Sequence, residues 1–419
     1  MQNCENGLSM KTEQLRINSD RLMQRIHRLA EIGFTEEGAC CRLALTDEDK
    51  AGRDLVVGWM RELGLQVQVD PIGNIFGLRA GLEDSAPVMT GSHIDTVRTG
   101  GRYDGNYGVL GGLEVVQVLN EAGITTKRPL VVGVFTDEEG ARFHPDMCGS
   151  LVYVGGLPLQ EAYDTKGYDG KRMGDELARI GYRGTAPMPL YHPHAFVELH
   201  VEQGPVLDME GITIGAVENL QGISWTEVLV TGQSNHAGTT PMRLRHDAGY
   251  CAAAIGVFVR QLVKELGGNQ VGTVGSITLH PNLTNVVAAR ARLTVDLRNT
   301  DNAVLTQAEA CLAQFLETLA RDEGVKIETH SLARFDPVIF HQPIADLITH
   351  KARQLGHSCR PMTSGAGHDA QMLARICPAA MIFVPSVKGI SHNPAEHTEP
   401  AHLEAGANVL LHTLLDLSQ

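Results

Sequence analysis

Five stretches of the chain carry side chains that bind cations or move protons. In chain order they are Gly91-Ser92-His93-Ile94-Asp95-Thr96-Val97, Tyr103-Asp104-Gly105, Phe135-Thr136-Asp137-Glu138-Glu139-Gly140, Val197-Glu198-Leu199-His200-Val201-Glu202-Gln203-Gly204 and Gly389-Ile390-Ser391-His392-Asn393-Pro394. The third is the most informative. Two adjacent carboxylates that leave an apolar strand repel one another and lose hydration, a costly arrangement unless a cation compensates it. Imidazoles and carboxylates in the other four complete the donors of a two-metal hydrolytic site.

Each stretch also has a plainer reading. His93 and Asp95 alternate along an extended segment, so His93 can face a metal while Asp95 holds the imidazole tautomer from behind. Asp104, in a glycine-rich turn ahead of a helix, can bridge two cations or simply cap that helix. Of Glu138 and Glu139, one carboxylate can bind metal while its neighbour serves as general base. His200 lies inside an apolar strand, where a lone histidine is more often a satisfied core residue. His392 sits in a loop, where position decides nothing. The five together, in this order, favour a metal site.

Such a site requires strands that end at one edge of a sheet. A helical start at Ser19 to Ile32 precedes a short strand, Val88 to Thr90. Val109, Leu113, Val116 and Asn120 then share a helical face over Gly108–Asn120. Pro129 to Phe135, Ala195 to Val201 and Ala379 to Val384 read as buried strands, and Ile344–Leu355, Asp369–Arg375 and Pro400–Leu417 as helices. This alternation predicts an α/β catalytic domain, a central mostly parallel sheet covered by helices, over residues 1–217 and 333–419. Between them, 218–332 reads differently. Strands at Ile223–Val230, Val271–Leu279 and Val325–Thr329, helices at Asp247–Leu266 and around Leu305–Leu319, and an alternating strand Asn285–Arg298 follow the order β-α-β-β-α-β. That order predicts an inserted ferredoxin-like α+β lid or dimerisation domain.

The bulk properties agree with a soluble enzyme. The chain has 419 residues, 43% hydrophobic and 20% charged, enough for two domains with a large core. A net charge of −14 argues against nucleic acid or an anionic membrane as partner. No apolar run reaches the roughly 18–20 residues needed to span a bilayer, and the polar Met1–Lys11 lacks a signal-peptide core. The eight cysteines form no CxxC pair and read as reduced thiols, so a cytoplasmic location is expected.

The five stretches, with Asn235-His236-Ala237-Gly238-Thr239-Thr240-Pro241-Met242 and Ser364-Gly365-Ala366-Gly367-His368-Asp369-Ala370, resemble the M20-type metallopeptidase superfamily from about residue 20 to the C-terminus. More narrowly they resemble its hydantoinase/carbamoylase amidase branch: N-carbamoyl-L-amino acid hydrolases, β-ureidopropionases and allantoate amidohydrolases. Peptidase members usually place a carboxylate where this chain has His200, which favours the amidase branch over di- and aminopeptidases. The resemblance implies two divalent ions per subunit, zinc first, with manganese, cobalt and nickel as alternatives. It implies His93, bridging Asp104, Glu139, His200 and His392 as ligands, Glu138 as general acid/base and Asp95 behind the ligands. It also implies substrate contacts from Gln203, His236, Asn285, Arg298, Gly367 and His368, with Gln221 a weaker candidate. His236 is expected to serve the partner subunit's site, hence a homodimer, and Arg298 to meet the carboxylate of a small substrate. N-carbamoyl-L-amino acids or β-ureidopropionate are the expected substrates, with allantoate as runner-up.

Overall fold

The structure, a computed structural model, describes residues 12–419; Met1–Lys11, with Cys4, lies outside the described residues. The chain divides into two compact units, one ending at Glu218 and resuming at Phe340, the other Asn219–Ile339.

The first unit is built on a sheet whose strands are β1 (Gln66–Val69), β2 (Ile75–Arg79), β3 (Val88–His93), β4 (Leu130–Phe135) and β5 (Ala195–Val201). β6 (Ile214–Leu220) leads out of it. β4 pairs in parallel with β3, which pairs in parallel with β5, and at the centre the four strands stand in the order β4-β3-β5-β13, where β13 is Ala379–Val384. Every residue of these four is buried, because helices cover the sheet: Asn106–Glu121 packs on β3 and β5, and Pro400–Leu417 on β5 and β13. Those helices are apolar nearly all round, as a helix enclosed between layers must be. One buried charge, Glu114, is held by Arg21 and Arg25 of the helix Ser19–Ala30.

The parallel expectation holds at this centre. The flanks are antiparallel: β2 on β4, β1 on β2, and β6 on β13. The β1–β2 hairpin and the helix Asp47–Glu62 had no counterpart in the sequence reading. A four-residue strand, half exposed throughout, carries too little periodicity to stand out. For the helix a start signal exists, since Thr46 caps it by accepting from the Asp49 N–H.

In the second unit β7 (Gly222–Thr231), β8 (Val271–His280), β9 (Arg290–Asn299) and β10 (Lys326–Phe335) form an antiparallel sheet in the order β10-β7-β9-β8. The helices Ala248–Leu266 and Asn302–Glu323 are capped by Asp247 and Asp301 and close one face. Val228, Val230, Leu293, Val295 and Leu297 meet Ile255, Val259, Leu312 and Leu316 in its core. With strand order 4-1-3-2, this unit has the ferredoxin-like topology.

Several boundaries differ from the sequence reading, and two of them lie in the second unit. Alternation along β9 starts at Arg290 rather than Asn285, because Val287 and Ala288 are both buried. The second unit ends at Ile339, beyond residue 332. β10 goes on pairing with β7 as far as Phe335, past a register shift between Ser331 and Ala333, and β11 (Val338–Ile339) then pairs with Asn219 and Leu220. The chain then runs through β12 (Cys359–Ser364), which pairs with β6. Among the described residues no helix is long and apolar enough to cross a membrane.

Candidate metal centre

The four central strands point their carboxyl ends one way, and each delivers part of the site. β3 ends on His93, β4 runs into Glu138 and Glu139, β5 contains His200, and His392 lies in the loop after β13. Asp104 comes from the turn ahead of Asn106–Glu121. That turn needs Gly105, whose φ is +64° and on which a Cβ would stand 2.5 Å from the His93 imidazole.

Asp104 is the hub. Its Oδ1 lies 3.3 Å from His200 Nε2 and 3.7 Å from His93 Nε2. Its Oδ2 lies 3.3 Å from His392 Nε2, which is itself 3.3 Å from Glu139 Oε2. The donors thus fall into two sets, His93–Asp104–His200 and Asp104–Glu139–His392, each compact enough to hold a cation. One carboxylate presents an oxygen to each set, the arrangement a bridging ligand requires. A third group, Glu198–His200–His368, meets the same spacing. Glu198, however, is engaged by Ser92 Oγ and the Ala370 N–H at 2.7 Å each.

The imidazoles are aimed for ligation. His93 Nδ1 is 2.9 Å from the Asp95 carbonyl oxygen and His200 Nδ1 is 2.8 Å from that of Val201, so in both rings the Nε2 atom faces inward. The Asp95 role is therefore different in detail from the expected one. Its main-chain oxygen orients His93, while its carboxylate, 3.8 Å from that ring, accepts the N–H groups of Glu138 and Glu139 at 3.2 and 3.3 Å. It holds the strand exit rather than the histidine.

Electrostatics show what the cluster lacks. Burial, then Asp369 and Glu139, push the Glu138 carboxyl well above its ordinary range. Burial and Asp104 do the same to Glu139. Burial disfavours a charged imidazole and takes His93 down to about 4. It opposes charge on His200 too, yet contact with Asp104 raises that ring to about 9. Burial also works against ionised Asp104, but His200 and His392 hold it well below the usual carboxylate range. Positive charge is thus favoured between Asp104 and the rings of His200 and His392, where a divalent ion would replace a proton. The donor set fits such ions. Glu138 Oε2, 3.4 Å from His93 Nε2, lies beside the cluster.

The remaining expected residues fall in two places. In the first unit Gln203 donates from Nε2 to Asp104 Oδ2 at 2.8 Å. His368, beside Gly367, is buried with its Nε2 3.1 Å from Ser364 Oγ and its ring 4.5 Å from that of His200. In this structure it backs His200 and is closed to solvent. The second unit carries His236, Gln221, Asn285 and Arg298. His236 and Asn285 are neighbours: Ala237 N–H donates to the Asn285 carbonyl, and His236 pairs with Val286. Arg298 lies at the opposite end of β9, bonded to Asp296 at 2.9 Å and over the Trp225 ring. Gln221 lies near that same end, its Nε2 3.5 Å from the Asn269 carbonyl. Asn285 and Arg298 are far apart within one chain, because the strand between them is extended.

Two contributors escaped the sequence reading. Arg42, fully buried, donates to Ile94 O at 2.7 Å, to Ile32 O and to Asn106 Oδ1 at 2.8 Å, and to Leu29 O at 3.0 Å. It ties the His93–Asp95 segment to the turn that carries Asp104. Glu396, also buried, accepts the N–H groups of Tyr103 and Asp104. Neither stands in a stretch whose pattern singles it out.

Comparison with known proteins adds family to geometry. Residues 89–416 match the model of peptidase family M20/M25/M40. An N-carbamoyl-L-amino-acid amidohydrolase from Rhizobium meliloti is 41% identical over 408 residues, 97% of this chain and 98% of its own. An allantoate amidohydrolase from Bacillus subtilis is 34% identical over 94% of this chain and 96% of its own. Among solved structures, a hydantoinase/carbamoylase family amidase from Burkholderia vietnamiensis is similar with a TM-score of 0.90. Its identity is 46%, over 97% of this chain and 98% of that one. By fold, site and sequence the chain belongs to peptidase family M20/M25/M40, in its hydantoinase/carbamoylase amidase branch.

Proposed function

We propose that the chain hydrolyses the ureido C–N bond of an N-carbamoyl-L-amino acid or of β-ureidopropionate, releasing ammonia, carbon dioxide and the amino acid. The observation that carries the reading is Asp104, shared between two histidine sets beside an unligated Glu138. His93, His200 and Asp104 would hold one divalent ion, and Asp104, Glu139 and His392 a second. Zinc comes first for these donors, with manganese, cobalt or nickel as alternatives. Such a pair, when bound, polarises the carbonyl and acidifies the attacking water.

The chain's own groups do the rest. Glu138 takes a proton from the attacking water and returns it to the departing nitrogen, which leaves as ammonia. The carbamate that remains on the amine then loses carbon dioxide. Gln203 presents its amide beside Asp104, within reach of a carbonyl. The Arg298 fork, held by Asp296 and Trp225, suits a substrate carboxylate. His236 is the donor for the developing oxyanion, a contact worth roughly 10²–10³ in rate.

His236 and Arg298 also argue for a homodimer. Arg290 and Arg298 stand eight positions apart along β9, roughly 26 Å at about 3.3 Å per rise, and His236 and Asn285 lie beyond the Arg290 end. A small substrate cannot span that distance. Two copies can supply one site between them, His236 and Asn285 from one chain and Arg298 from the other. The seven described cysteines are all free, which suits the reducing cytoplasm.

Allantoate is the second reading, favoured by the Bacillus subtilis relative. Ammonia release from N-carbamoyl-L-amino acids, β-ureidopropionate and allantoate, with zinc or manganese supplied, decides between them. Release from allantoate alone overturns the substrate class, and release from none overturns the activity. Glu138→Gln should keep its metal and fold yet lose about 10²–10⁴ in turnover.

A further inference from the structure

We propose that Glu396 is a positioning residue that sets the spacing between Asp104 and His392, and so the affinity of the cation position formed by Asp104, Glu139 and His392. The inference rests on the metal-centre reading above and concerns a side chain that is not itself a ligand.

Glu396 is 5% exposed and follows His392 by four residues in the same loop. Its Oε1 accepts the Tyr103 N–H at 2.9 Å and the Asp104 N–H at 3.3 Å. Its Oε2 lies 3.4 Å from Ser391 Oγ, which is 3.4 Å from Asp104 Oδ2. A single carboxylate thereby clamps the Asp104 turn to the loop that carries His392. The clamp has a second strand: Thr99 Oγ1 donates to the His392 carbonyl at 3.0 Å.

The chain makes room for this carboxylate and for little else. A Cβ on Gly101 would lie 2.2 Å from Glu396 Oε1, closer than any real contact, so residue 101 and Glu396 occupy one space. Among the described residues no lysine or arginine forms an ion pair with Glu396. Its carboxyl oxygens are met by two main-chain N–H groups and the Ser391 hydroxyl instead. Groups that hold ligands in place typically change metal affinity by about 10–100-fold when removed.

The metal-free wild-type chain, Glu396→Ala, Glu396→Gln and Gly101→Ala are titrated with zinc by calorimetry and by competition with a chromophoric chelator, with thermal midpoints recorded in parallel. Wild type should take up two zinc ions. Glu396→Ala should keep one site and weaken the other by about 10–100-fold, with activity restored by excess zinc. Glu396→Gln retains an oxygen for the Tyr103 and Asp104 N–H groups and should titrate like wild type. Gly101→Ala, which displaces the Glu396 carboxylate without replacing Glu396 or any proposed ligand, should follow Glu396→Ala and stands in for it should that variant fail to fold. Unchanged zinc midpoints in both Glu396→Ala and Gly101→Ala, with lowered thermal midpoints alone, would make Glu396 a structural residue and overturn the proposal. So would a Glu396→Gln as weak as Glu396→Ala. A wild-type chain that binds no zinc overturns the metal-centre reading first, a different outcome from two wild-type sites untouched by the substitutions.

Discussion

Burial holds both Glu138 and Glu139 above the ordinary carboxyl value of 4.5, with Asp369 and Glu139 adding to it at Glu138 and Asp104 at Glu139. A raised carboxyl contributes stability below its unfolded pKa and loses it as pH rises through the folded one. The metal-free protein should therefore weaken as pH rises above about 4.5, and the metal-loaded protein should not. Cation uptake needs Glu139 ionised and takes the place of the proton on His200, so affinity should rise with pH and uptake should release protons. Calorimetry at about pH 6 in buffers of different ionisation enthalpy reads that release; uptake without it would contradict the electrostatic account. Gly105→Ala tests the same geometry from the backbone. It strains a left-handed turn and drives a methyl into His93, so zinc affinity should fall more than thermal stability.

The elements that carry these residues are braced from behind. Asp95 fastens the end of β4 through two N–H groups, and Arg42 fastens the end of β3 to the Asp104 turn. Because the Arg42 guanidinium meets carbonyl and amide oxygens rather than a carboxylate, its loss leaves several buried acceptors unpaired. Arg42→Met should cost about 3 kcal/mol or more, read as a shift of the urea midpoint. Arg42→Lys should recover only part of it, since an ammonium cannot reach all four oxygens. A shift below about 1 kcal/mol for Arg42→Met would remove the strut from the account.

For the assembled molecule, the separation of His236 from Arg298 along β9 makes a specific expectation. Glu138→Gln and His236→Ala chains should each lose about 10² or more in turnover alone. If two copies share each site as proposed, mixing with subunit exchange would form hybrids that pair one intact Glu138 with one intact His236, and about a quarter of wild-type activity should return. No recovery, with exchange verified, would place both residues in one chain's site. Chelation should also lower the melting temperature, because ions that bind only the folded state stabilise it by about 2.7 kcal/mol per site at a hundredfold excess over Kd.

Much of this was legible along the chain. Ala195–Val201, Ala379–Val384 and Pro400–Leu417 have the same ends in the sequence reading and in the fold, because burial on most sides writes a largely apolar pattern into a local segment. His93, Asp104, the Glu138–Glu139 pair, His200 and His392 could be singled out as candidate donors because each stands at or near an apolar strand's end or in a turn beside one, but only the family resemblance names Glu139 rather than Glu138 as a ligand. Which oxygen of Asp104 faces which histidine, that Asp95 serves Glu138 and Glu139 more than His93, and that Glu396 reaches Tyr103 across 293 residues depend on segments far apart in the chain. Periodicity records whether a side chain is buried. Only the packed structure decides what it is buried against.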